Sequence, residues 1–153
     1  MPEYRWYELD LNPEPWAIGP LGVNRKGGLR PFVGRNQQLF NFQEAVKEAM
    51  NSPQFVPEMI VGDVALIFYF WRQRAEYTTP QARTHRKHEA DTTNMQKALE
   101  DALQGVLYKN DKDVKFINSI QVAQGPDVRG KILVGAAPWH WETDLPEEVK
   151  GII

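Results

Sequence analysis

The stretch from Arg83 to Val114 constrains the chain most. A basic cluster (Arg83, His85, Arg86, Lys87, His88) leads into Asp91, then an amphipathic segment, an Asn110-Asp111 turn and the start of an alternating, strand-like stretch at Val114. Met95, Ala98, Leu99, Ala102, Leu103 and Val106 recur at helical spacing, which predicts a helix burying one stripe. At about 100° per residue, Asn94, Lys97 and Asp101 share a narrow stripe on the other side. Asp91 or Thr92 can cap the N-terminus, because their side chains accept from free backbone N–H groups. Gly105 suits the position just past the last turn. For most helices of this pattern, a capped surface helix with a solvated polar face is the whole explanation.

Three features add a chemical reading. The cations before Asp91 stand beside a carboxylate at a positive helix terminus, where a phosphate is attracted. Asp111, with Asp113, offers further oxygen ligands for a hard divalent cation. Lys97, inside the helix, can hold a phosphate oxygen or a developing charge. Carboxylates, a divalent cation and a lysine are what phosphodiester hydrolysis needs: an activated water and a counter-charge for the leaving oxygen.

The flanking chain reads as support. Arg5 to Leu11 alternates as a strand and stops at Asn12-Pro13. Asn12 to Gly34 is rich in Pro and Gly, has no period, and carries Arg25, Lys26, Arg30 and, just beyond, Arg35. We expect a long loop there, either a basic flap over a polyanion or a solvated connection. A helix is expected from near Asn36 to about Asn51, with Leu39, Phe42, Val46, Ala49 and Met50 on one face and Pro53 and Pro57 closing it. Ile60 to Trp71 is nearly continuous apolar sequence, which predicts a central strand buried on both faces. Thr78 to Ala82 reads as a polar connection. Val114 to Val122 and Lys131 to Ala137, around Gly125-Pro126-Asp127, read as a hairpin. The order strand, loop, helix, strand, helix, strand, strand predicts an α+β fold, a mixed sheet with two main helices. The 153 residues suggest one domain with a tail over 138–153.

Composition narrows the function classes. There is no cysteine, so disulfides, thiolate zinc sites and cysteine nucleophiles are excluded. No apolar run approaches the roughly 20 residues that span a bilayer. No basic segment followed by an apolar one opens the chain, so we expect no signal peptide and a cytoplasmic protein. The net charge of −2 means that nucleic-acid binding has to come from local patches.

The order Asp91-x-x-Asn94-x-x-Lys97-x-x-x-Asp101-Ala102-Leu103, then Gly105 and Asn110-Asp111-x-x-Val114, resembles the signature of the RusA family of Holliday junction resolvases, common in phages and prophages. The likeness runs from about Arg83 to Val122. It implies a homodimeric, Mg²⁺-dependent endodeoxyribonuclease, with Mn²⁺ as a substitute, that cuts four-way and other branched DNA by paired nicks. Carried over by position, Asp91 and Asp111 match acidic metal-site residues, Lys97 matches the family's lysine, and Asn94 matches its asparagine. Arg25, Lys26, Arg30, Arg83, Arg86 and Lys87 are then the expected grips on DNA phosphates. Two positions depart from the pattern: Thr93 stands where the family has a second aspartate, and Asn110 replaces the first half of its Asp-Asp pair. The resemblance thus implies a site with one carboxylate fewer, for which Glu89 or Asp113 could substitute. A catalytically weak or inactive junction-binding dimer is the competing class. A structural or regulatory phage protein that never touches DNA is the third.

The two acids pose a geometric question. From Asp91 to Gln104 a helix rises about 20 Å, and the segment from Gly105 to Asp111 reaches at most roughly 20–23 Å. Asp111 returns to Asp91 in one chain only if the segment after Gly105 runs straight back. Val106-Leu107-Tyr108 reads as extended, so the same-chain route is expected; the other route completes the site with a partner's Asp111. Among smaller signals, His85, His88 and Glu89 make a poor zinc set among so many cations. Trp139-His140-Trp141 reads as packing at a terminus more readily than as a base-stacking platform.

Overall fold

A computed structural model describes residues 2–16, 21–23, 29–31 and 33–152, with side chains over 2–16 and 37–152. Its elements are β1 (Arg5–Leu9), β2 (Leu21–Val23), β3 (Leu29–Pro31), α1 (Val33–Met50), β4 (Val64–Gln73), α2 (Pro80–His85), α3 (Thr92–Leu103), a 3₁₀ turn (Asp111–Asp113), β5 (Val114–Gly125), β6 (Lys131–Pro138), α4 (Trp141–Asp144) and α5 (Glu147–Lys150). The α+β expectation holds, with α1 and α3 as the two long helices. Several local expectations do not. The stretch 12–34 is not one irregular loop: β2 and β3 pair antiparallel, Leu21 opposite Pro31, and α1 begins at Val33 rather than near Asn36. Thr78 to Ala82 is not merely a connection, because Pro80 opens the short helix α2. Thr79 Oγ1 caps it by accepting from the Ala82 N–H, and proline is well suited to a first helical turn.

The main sheet has the order β1-β6-β4-β5. β4 pairs antiparallel with β6 and parallel with β5, so the sheet is mixed and β4 is central, as its apolar run requires. β5 and β6 are therefore not a hairpin. Gly125-Pro126-Asp127 does turn the chain, but β6 returns on the far side of β4 and pairs with β1 as well. A buried strand such as β4 needs partners on both edges, and that demand overrides the local hairpin signal.

One face of the sheet is the core. Tyr7, Leu9, Val64, Leu66, Phe68, Phe70, Ile132 and Val134 are buried there. Against them pack Phe42, Val46 and Met50 of α1 and Met95, Ala98, Leu99, Ala102 and Leu103 of α3. The stripes read from the sequence are the stripes observed, except that Val106 lies beyond the end of α3, in the turn after Gly105. Each fully buried Leu, Met or Phe contributes about 1.5–3 kcal/mol relative to exposure, which outweighs the weak helix propensities of Thr92, Thr93 and Asn94. The expectation that β4 is buried on both faces is corrected. Ile67, Tyr69 and Trp71, which alternate with the core residues, are only half-buried. On that outer face Trp6 is 45% exposed. Its ring lies so close over Gly135 that a Cβ there would stand 2.6 Å from it.

β5 runs back along α3, and this register positions the site. Ser119 Oγ donates to Gln96 Oε1 (2.6 Å), and Thr92 Oγ1 donates to Gln121 Oε1 (3.4 Å). Further on, Gln124 brackets Ala90. The start of β5 therefore lies by the end of α3, and its end lies by the helix start.

Candidate active site

Asp91 occupies the N-cap position of α3 with extended backbone (φ −73°, ψ 141°), but its side chain makes no capping bond. Its carboxylate is exposed, and among the described residues Oδ2 accepts only a long bond from Asn94 Nδ2 (3.5 Å). The backbone before it is held firmly. Gln124 Oε1 accepts from the Ala90 N–H (2.7 Å), and Gln124 Nε2 donates to Ala90 O (3.2 Å). Arg72 donates from Nη1 to Gln124 Oε1 (2.9 Å) and to His88 O (2.8 Å), and from Nε to Pro13 O (3.2 Å). Burial lowers the pKa of Arg72 from its ordinary value, with Glu14 opposing and Arg74 adding to the shift. Neither Arg72, at the end of an apolar run, nor Gln124, in a strand, shows a motif that would reveal this role from sequence.

Asn94, Lys97 and Asp101 do share one face of α3. Lys97 is exposed, and its Nζ lies 3.7 Å from the centroid of the Trp16 ring. The Trp16 N–H donates to Asn94 O (2.8 Å). The chain before β2 is thereby strapped onto the Asn94–Lys97 turn, and a cation over an indole face is favourable by about 0.5–1 kcal/mol at exposed sites. Sequence reading missed Trp16, which sits in an aperiodic Pro/Gly-rich stretch.

Asp111 stands at the other end of the helix. Gly105 ends α3 with φ +85°, and its N–H donates to Tyr108 O (2.7 Å). Val106 and Leu107 therefore form a tight turn, not the extended return expected from sequence. Tyr108 is buried, and its hydroxyl donates to Glu100 O. The Ile60 N–H donates to Leu107 O (2.8 Å), which fixes the segment in place. Asp111 consequently lies among Glu100, Asp101 and Tyr108. Burial, then Asp101 and Asp111, raises the pKa of Glu100; burial raises that of Asp101, Lys97 pulls it down, and Asp111 pushes it up. Burial and the same three carboxylates push the Tyr108 phenol far above its ordinary range, so it stays a neutral donor.

Asp91 and Asp111 are thus separated by most of the helix, about 15 Å for the ten residues to Asp101. Two ligands of one cation lie within a few ångströms of each other, at about 2.0–2.6 Å from the ion. Within one chain this pair does not fit a shared ion. Among the described residues, no group of three or more His, Cys, Asp or Glu converges on a metal position. Thr93, in the place of a family aspartate, is exposed.

The cations precede Asp91 as the sequence implies. Arg83 is exposed on α2; Arg86 follows it in the left-handed region (φ 51°), with Nε 3.5 Å from Glu89 Oε2. Lys87 is exposed, while His88 is half-buried and stacks with Tyr77 (5.9 Å between centroids, 20°). Arg30 is the middle residue of β3; Arg25 and Lys26 lie outside the described residues. Trp139 packs on Phe116 (5.3 Å, 14°), a packing role at the tail.

Asp91 at the helix start, Lys97 within the helix and the cations before Asp91 thus lie toward one end of α3, while Asp111 lies past the other. No curated protein matches the chain. A family model, Endodeoxyribonuclease RusA, matches residues 22–132, more than two thirds of the sequence, including β2 through to the start of β6. This chain belongs to the RusA endodeoxyribonuclease family of Holliday junction resolvases.

Proposed function

We propose that this protein is a structure-specific endonuclease. It resolves four-way or other branched DNA by paired phosphodiester hydrolysis, as a homodimer using Mg²⁺ or Mn²⁺, in a bacterial cytoplasm on phage or host DNA. The observation that carries the reading is the exposed face of α3. Asp91, Asn94 and Lys97 stand there free of the core, directly after a run of cations.

The reading assigns each residue a task. Arg83, Arg86 and Lys87, together with Arg25, Lys26 and Arg30, hold backbone phosphates. Asn94 orients the Asp91 carboxylate through their shared hydrogen bond. Lys97 offsets charge that develops on the phosphoryl oxygens, and Trp16 keeps its ammonium on that face. Asp91 and Asp111 supply the hard oxygen donors. A bound divalent cation would contribute an acidified water and a counter-charge.

Because one chain holds those two acids at opposite ends of α3, the site is completed by two chains. A two-fold axis crossing the middle of the exposed stripe runs the two α3 helices antiparallel. It brings Asp91 of one protomer toward the partner's Asp111, and the reverse. Such pairing also gives two sites per dimer, which paired nicks require.

The test is a junction-nicking assay with Mg²⁺, with Mn²⁺ and without metal. Nicking that needs the metal and is lost in Asp91→Asn is expected. The Thr93 position favours one second reading, a junction-binding dimer without cleavage. Binding with no nicking under either metal would select it, and absence of salt-dependent junction binding would remove both.

A further inference from the structure

We propose a second phosphate site in the cavity of about 550 Å³ lined by the segment joining β4 to α2, by α2 itself and by Pro126. It takes a backbone phosphodiester of the bound DNA away from the reacting position, through Arg74, Tyr77 and Arg83. The inference rests on the nuclease reading and extends its DNA path.

Two buried side-chain polar atoms lack a hydrogen-bond partner among the described residues, Arg74 Nε and Tyr77 Oη. Both residues line this one cavity. Unpaired buried polar groups are costly, and native proteins keep few of them without a reason. Neither is loosely placed. The Arg74 guanidinium lies 3.9 Å from the Tyr77 ring centroid, and its Nη1 donates to Ala75 O (2.8 Å). Tyr77 stacks with His88. Two of the three lining threonine hydroxyls are already engaged: Thr79 Oγ1 accepts from the Ala82 N–H (3.0 Å), and Thr84 Oγ1 donates to Pro80 O (2.9 Å).

Arg74 Nε can only donate and the Tyr77 hydroxyl can donate as well as accept, so one acceptor oxygen, admitted by a small shift of these two side chains, satisfies both. Arg83 adds a second guanidinium to the lining, against a single carboxylate, Glu76. A donor pair with an excess of positive charge selects an anion rich in oxygen and rejects a metal cation. Guanidinium forks match phosphate in particular. The position fits a strand approaching the active site, because the Tyr77–His88 stack joins the cavity to the segment that ends at Asp91.

The test is binding of a labelled four-way junction, without metal, across 50–200 mM salt as a range in which phosphate contacts are read by the slope, about 0.7–0.9 per contact. Arg74→Gln is expected to weaken binding and flatten the slope by about one contact, while Arg74→Lys keeps the slope. Tyr77→Phe is expected to weaken binding several-fold, with an unfolding midpoint equal to or above the parent's, because it removes an unpaired hydroxyl. Parental slope and affinity in Arg74→Gln, or parental affinity in Tyr77→Phe, would overturn the site while leaving the nuclease reading intact. Parent protein that binds no junction in a salt-dependent way overturns both.

Discussion

At the last turn of α3, Glu100, Asp101 and Asp111 crowd one another beside the buried Tyr108 ring. The folded chain raises the Glu100 pKa above its usual 4.5, chiefly by burial. The folded state therefore holds that proton more tightly than the unfolded chain does. Stability rises as pH falls through the folded pKa, and the gain is complete below the unfolded value; at neutral pH the charged group is a net cost. Glu100→Gln is thus expected to raise the unfolding midpoint at pH 7, with the advantage shrinking toward pH 4. An equal advantage at both pH values would contradict the assignment. At this scale the sequence was informative about type and face. Asp91 could be placed at a helix start, and Asn94, Lys97 and Asp101 on one stripe, because helical spacing alone decides both. It was silent on Trp16, Arg72 and Gln124, whose roles come from distant backbone groups brought near by the fold.

Among the elements, the end of α3 decides where Asp111 goes. Gly105 has φ +85° with no atom near its absent Cβ, so a side chain there meets strain but no clash. Gly105→Ala is expected to cost about 1–2 kcal/mol, the ordinary penalty for a left-handed L-residue, and Gly105→Asn less, as urea unfolding would measure. A cost near zero for alanine would mean that the turn is not fixed as described. The two long helices and the central strand were legible because their apolar stripes match the core they bury. The hairpin expectation failed because β5 and β6 alternate equally well beside β4 or beside each other. Only the need of β4 for two partners separates those pairings. The extended reading of Val106-Leu107-Tyr108 failed for a similar reason: three apolar residues after a glycine suit a strand or a buried turn, and burial of Leu107 and Tyr108 beneath Ile60 selects the turn.

For the molecule as a whole, both long helices cover one face of the sheet, and the other keeps Trp6, Ile120 and Val122 exposed. No helix among the described residues is long and apolar enough to cross a membrane. The fold class was open to sequence reasoning because element order and periodicity set it. Whether and how two chains meet was not, since pairing depends on surfaces assembled from distant segments. With Asp91 and Asp111 at opposite ends of α3, the dimer proposed above would give each site one acid from each chain. The direct measurement mixes Asp91→Asn and Asp111→Asn subunits, each inactive alone, and follows junction nicking in Mg²⁺. One of the two sites in every mixed dimer then keeps both acids, so single-strand nicking should return; a mixture as inactive as its two components would contradict the two-chain site.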